Sequence, residues 1–161
     1  PMRSISFDPG LPLMSLVERA EGNDAEAIAE MELGLAAFGA GLPVETPGLV
    51  AAGVFGDDAA RRHAVAHVEG LIGSHAGTVS GPLAFSLIML GEHARALDVI
   101  QSGVTTSSIW QLALWGPSGR DARRLPQFAE FARRVGFVAV WDKYGPPDGC
   151  QRRGPGDYAC D

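Results

Sequence analysis

The sequence lacks the features that would place it in several large functional classes. No apolar run approaches the roughly 18 residues needed to cross a bilayer, and no basic segment followed by an apolar stretch opens the chain as a secretory signal would. Neither a His-Glu-x-x-His nor a Gly-x-Ser-x-Gly string occurs, so zinc-peptidase chemistry and an elbow-type serine nucleophile have no basis in the sequence. Only two cysteines are present, Cys150 and Cys160, and no histidine stands beside them, which argues against the usual zinc arrangements. Aromatic residues make up 7% of the chain and alternating β-branched runs are scarce, so a sheet-built core is not expected.

What is present points to helices. Apolar residues reach 46% and are dominated by Ala, Leu and Val, while charged residues make up 20%. The 21 glycines and 11 prolines fall largely between the apolar segments, where they would divide the chain into many short helices. A length of 161 residues suits a single domain. The net charge of −6 is unevenly placed: 5 basic and 13 acidic residues up to Gly116, then 8 basic and 6 acidic, so the front carries −8 and the tail +2. An acidic body disfavours sequence-independent binding to nucleic acid, which needs Lys and Arg against phosphates. Pro1 directly before Met2 resembles a vector remnant ahead of a native start, and a start without a signal segment would point to the cytoplasm.

Three glycine-centred segments repeat, beginning at Gly22, Gly56 and Gly91 and separated by 34 and then 35 residues. Each has an acidic or amide residue just after the glycine and an alanine three places on: Ala25, Ala59 and Ala94. A helix-turn-helix hairpin accounts for the pattern. Glycine can take positive φ as the first helix ends, Asn or Asp can cap the second, and a small alanine permits close helix approach. His93 is the poorest capper of the set. Apolar segments flank each glycine, and Ala64, Val68, Leu71 and Ile72 share one helical face. The spacing therefore predicts hairpins over about 11–41, 46–75 and 81–103, followed by a different segment over 104–161. In that segment Val104 to Trp115 reads as a helix, Pro126 suits the first turn of another through Val135, and the tail from Gly145 reads as irregular.

On these residues the chain resembles bacterial tetratricopeptide-repeat proteins. In the third unit Leu83, Ala84, Leu87, Gly91, Ala96 and Leu97 occupy the family's packing and turn positions, although Ser80 and Leu87 stand where it usually has Trp and Tyr. The first unit, Leu16 to Ala27, also resembles a Sel1-type repeat. A more specific string, Leu114-Trp115, Arg124-Leu125-Pro126-Gln127-Phe128, Phe131-Ala132-Arg133-Arg134-Val135-Gly136-Phe137, Trp141, Gly145-Pro146-Pro147-Asp148, Cys150 and Cys160, is similar to the C-terminal end of such proteins, including those fused to cyclase or winged-helix domains. The resemblance implies an all-α superhelix of about three hairpins with a C-terminal helical cap, and a scaffold that binds another protein or peptide without catalysis or cofactor.

Candidate sites are few. Glu18, Arg19, Ser86 and Gln111 are expected to line a partner-binding groove. His63 and His67 are spaced i, i+4 on a helix and could reach one metal ion, but they supply only two ligands, and boundary histidines are the simpler reading. Glu26, Glu30 and Glu32 read as a solvated helix face, and the run Thr105 to Ser108 as a polar helix start. Trp110, Trp115, Phe128, Phe131, Trp141 and Tyr144 are expected to pack the cap. Cys150 and Cys160 are either a disulfide or two reduced thiols, the second being favoured for a cytosolic chain. A small-ligand regulatory domain is the alternative function, and a metal-dependent enzyme using His63 and His67 a third.

Overall fold

A computed structural model describes residues 11–38, 41–74, 78–79, 81–102, 104–105 and 108–161. The chain folds as two compact units, Pro1–Ser74 and His75–Asp161. Both are mainly helical.

The first unit holds two helical hairpins, α1 (Leu11–Glu21) with α2 (Asp24–Phe38) and α3 (Thr46–Phe55) with α4 (Asp58–Ser74). α2 also packs on α3, so the hairpins stack through neighbouring helices. Its core consists of Ala27, Met31, Leu35, Val50, Ala51, Ala64 and Val68. Ala64 and Val68 are fully buried as their spacing predicts, with Leu71 and Ile72 half-buried at the margin.

The turn glycines behave differently from one another. Gly22 has φ +86°, the left-handed geometry that releases α1 into α2. Gly56 is extended instead, at φ −89° and ψ −159°; a side chain there would strike the Ala52 carbonyl, so this glycine serves close approach rather than positive φ. Asp57 caps α4, its Oδ1 accepting from the Ala60 N–H at 2.8 Å. Asn23 does not cap α2; its amide donates to Glu18 Oε2 at 2.8 Å. The repeated alanines also depart from expectation, because Ala25, Ala59 and Ala94 are all exposed. The close approach of α1 and α2 is made by Gly34, where an added Cβ would lie 2.6 Å from Pro12 Cγ.

The second unit is built around α5 (Gly81–Met89), buried at every position. Packed on it are α6 (His93–Ser102) and α7 (Trp110–Trp115), the latter leading into a 3₁₀ turn at Pro117–Gly119. Gly91, at φ +79°, makes the turn between α5 and α6. Three short helices follow: α8 (Arg120–Arg124), α9 (Phe128–Arg134) and α10 (Phe137–Tyr144). A helix over Val104 to Trp115 is not what forms. β1 (Thr78–Val79) and β2 (Val104–Thr105) pair in parallel, with α5 and α6 as the crossover that parallel pairing requires. Helix begins only at Trp110, and Thr106 and Ser107 lie outside the described residues. Ser80 lies outside them too.

The tail is ordered as well. β3 (Cys150–Gly154) and β4 (Asp157–Cys160) form an antiparallel hairpin in which Cys150 pairs with Cys160 and Arg152 with Tyr158. Its buried side carries Cys150 and Tyr158. A two-stranded hairpin is marginal by itself, and this one is held by packing on α8 and α9 and by a Cys150–Cys160 disulfide. Among the described residues no helix is long and apolar enough to cross a membrane.

Candidate functional site

The four residues expected to line a groove fall in different surroundings. Glu18 and Arg19 lie on α1, where Glu18 accepts from Asn23 and Arg19 forms an ion pair with Asp24 across the Gly22 turn. Both bonds stay within the hairpin. Ser86 does not face solvent: it is 1% exposed, on the helix that α6 and α7 enclose, and its hydroxyl donates to the Pro82 carbonyl at 2.8 Å. It is a satisfied core hydroxyl and leaves the list of partner-binding residues. Gln111 is half-buried on α7.

α1 offers a clearer surface than those polar residues. Pro12 and Ser15 are buried, and the Ser15 hydroxyl donates to the Pro12 carbonyl at 2.7 Å. Met14 and Val17, three residues apart and therefore neighbours on the outside of the helix, are 48% and 45% exposed. Half-buried Leu13 and exposed Ala20 extend the apolar strip.

His63 and His67 do not converge on a common ligand. His63 is exposed, whereas the His67 imidazole Nε2 is hydrogen-bonded to Thr46 Oγ1 at 2.8 Å, tying α4 to the start of α3. Thr46 is itself buried, so each side chain satisfies the other. Among the described residues no three His, Cys, Asp or Glu side chains gather as a metal site. On α2, Glu26 and Glu32 are exposed and Glu30 half-buried. His93 heads α6, and its Nε2 donates to the Ser118 carbonyl at 3.0 Å.

The aromatic residues of the second unit form one packed cluster. Trp110 meets Phe131 edge-on at 6.0 Å, Trp115 meets Trp141 at 6.0 Å, and Phe128 stacks on Phe131 at 5.8 Å. Tyr144, expected in this cluster, is instead 73% exposed beneath the Lys143 ammonium. Phe137 and Tyr158 take part in its place, with Tyr158 5.2 Å from Trp141. The Tyr158 hydroxyl donates to Asp142 Oδ1 at 2.8 Å, and Arg152 reaches the same oxygen at 3.3 Å.

Burial pushes the Tyr158 phenol above its ordinary value, and the hydrogen bond to Asp142 and the charge of that carboxylate act in the same direction. Below the unfolded-state pKa of about 10 both states keep the proton, so the contribution of neutral Tyr158 is fully present. Above it the unfolded chain releases the proton first, and stability falls as pH rises through the higher folded value. Denaturation followed by tryptophan fluorescence at pH 9, 10 and 11 is therefore expected to show a steeper alkaline loss for the wild type than for Tyr158→Phe. Parallel curves would exclude Tyr158 as the source.

Arg123 organises the base of the hairpin. Its Nη1 donates to the carbonyls of Leu114 and Gly116, and its Nε and Nη2 both donate to the Asp161 carbonyl, at 3.2 and 3.0 Å. The guanidinium carbon also lies 5.7 Å from the centre of the Trp115 ring. Burial lowers its pKa; nearby Asp161 opposes this, and the like charges of Arg120 and Arg124 reinforce it. Beside it a cleft of about 220 Å³ opens between α8–α9 and the hairpin. Its lining includes Arg123, Arg124, Arg153, Asp157 and Tyr158. The basic balance of the tail was visible in the sequence, but the gathering of Arg124 and Arg153, which are 29 positions apart, was not.

Comparison with protein-family models, curated proteins and solved structures finds no match for this chain.

Proposed function

We propose that the chain is a non-catalytic helical-repeat module of tetratricopeptide type, which binds a segment of a partner protein along α1. The apolar strip of Met14 and Val17 carries this reading. α1 packs on α2 through its opposite side, yet keeps two large apolar side chains nearly half exposed at helical spacing. Such a strip suits the apolar face of an incoming helix or peptide. Glu18 and Arg19 border it and would set register through their charges rather than supply most of the affinity. The helical hairpins and the glycine turns at Gly22 and Gly91 support the repeat assignment.

A photoactivatable benzoylphenylalanine at position 17, activated in the source cell, is expected to form a discrete adduct with one protein. The same group at position 62, on the exposed face of α4, should not form it. Met14→Asp should abolish the adduct while leaving the thermal midpoint of the module within a few degrees of wild type. No adduct at position 17, or the same adduct from both positions, would defeat the proposal.

A further inference from the structure

We propose that the cleft between α8–α9 and the β3–β4 hairpin binds a phosphate monoester, held by the guanidinium groups of Arg124 and Arg153. The inference is independent of the partner surface on α1.

Several arginines of this unit are already engaged. Arg123 directs its nitrogens at the carbonyls of Leu114, Gly116 and Asp161, so its donors serve the fold. Arg133 and Arg134 both pair with Glu130, and Arg152 pairs with Asp142. Arg124 and Arg153 differ from these. Both are exposed, both line the cleft, and among the described residues neither has an ion-pair partner.

The charge of the lining selects the ligand. Asp157 is the one carboxylate among the residues lining the cleft, and Asp161 lies against Arg123, so Arg124 and Arg153 together face a single negative charge and one positive charge is left in excess. A phosphate monoester carries about −1.5 to −2 at neutral pH and presents three acceptor oxygens, which match two forked donors. A carboxylate presents only two acceptor oxygens to the same pair of forks. Leu125, Pro126 and Ala129 give the cleft an apolar side against which the ester's organic part can rest. At about 220 Å³ the space suits a small organophosphate. The hairpin wall is held in place by the disulfide and by Tyr158, which is 6% exposed, so Arg153 projects from a hairpin that is anchored before the ligand arrives.

The test is a titration of the intact, oxidised chain with O-phosphoserine, inorganic phosphate and acetate in separate arms, read by amide and arginine Nε–H chemical shifts. Both phosphates should produce saturable shifts confined to residues 123–129 and 153–160, and acetate should not saturate. Tighter binding of O-phosphoserine than of inorganic phosphate assigns the ester as the ligand, and equal binding assigns the phosphate group alone; either result supports the site. Arg124→Gln and Arg153→Gln should each weaken binding by about tenfold or more, whereas Arg133→Gln should leave it unchanged. Absence of saturation by either phosphate, acetate binding as tight as phosphate, or undiminished binding by both glutamine variants would overturn the proposal. The thermal midpoints of the two glutamine variants should match wild type, because neither side chain packs in the core.

Discussion

Phe131→Ala is expected to destabilise the second unit by about 3–5 kcal/mol, the usual cost of deleting a buried phenyl ring. Phe131 is fully buried within the cluster, edge-on to Trp110 at 6.0 Å, stacked on Phe128 at 5.8 Å and 6.2 Å from Phe137. Removing the ring forfeits its burial and leaves a void that α7, α9 and α10 would have to collapse around. A loss of that size is a large fraction of the 5–15 kcal/mol typical of a whole domain. All three tryptophans, Trp110, Trp115 and Trp141, belong to this unit, so their fluorescence reports its unfolding and not that of the first unit. The fluorescence midpoint should fall by more than about 10 °C, and Phe131→Leu should recover most of the difference. A Phe131→Ala protein melting within a few degrees of wild type would show that the cluster does not hold the unit together.

Opening the Cys150–Cys160 bridge is expected to cost about 3 kcal/mol on the chain-entropy view of a closed loop of this size, with a sequence separation of 10. The hairpin it closes has other anchors: Tyr158 against Trp141, Asp142 with Tyr158 and Arg152, and Arg123 on the Asp161 carbonyl. Reduction should therefore loosen the hairpin before the aromatic cluster melts. Denaturant unfolding with and without dithiothreitol checks this. The wild-type midpoint should drop in the reductant, and Cys150→Ser should match the reduced protein and ignore the reductant. Equal wild-type midpoints in both buffers would mean that the bridge contributes nothing. The comparison also measures how much of the tail survives in a compartment that keeps thiols reduced.

Local features follow from residues that are neighbours in the chain. Apolar spacing and glycine punctuation located the helices of the first hundred residues, with α3 beginning at Thr46, α5 at Gly81 and α6 at His93. Turn chemistry was legible at Gly22 and Gly91, because a helix that ends in a left-handed residue needs only its own neighbours to do so. Burial of Ala64 and Val68 followed from helical period alone.

Tertiary structure decided everything that depends on partners distant in the chain. Gly56 shows the same residue type serving a different purpose, since its backbone is extended and packed against Ala52. Ser86 read as a surface hydroxyl, but α6 and α7 enclose α5, and a single-helix pattern does not say how many neighbours a helix will acquire. Tyr144 and Tyr158 exchanged places because the hairpin, not the last helix, supplies the final ring of the cluster. The tail's glycines and prolines marked turns correctly, yet strand register between Cys150 and Cys160 rests on side chains packing against α8 and α9. The arginine cleft was hidden for the same reason. Composition gave the tail its positive balance, while only the folded hairpin sets Arg153 and Arg124 around one opening, because charges far apart in sequence act together only once the backbone brings them together.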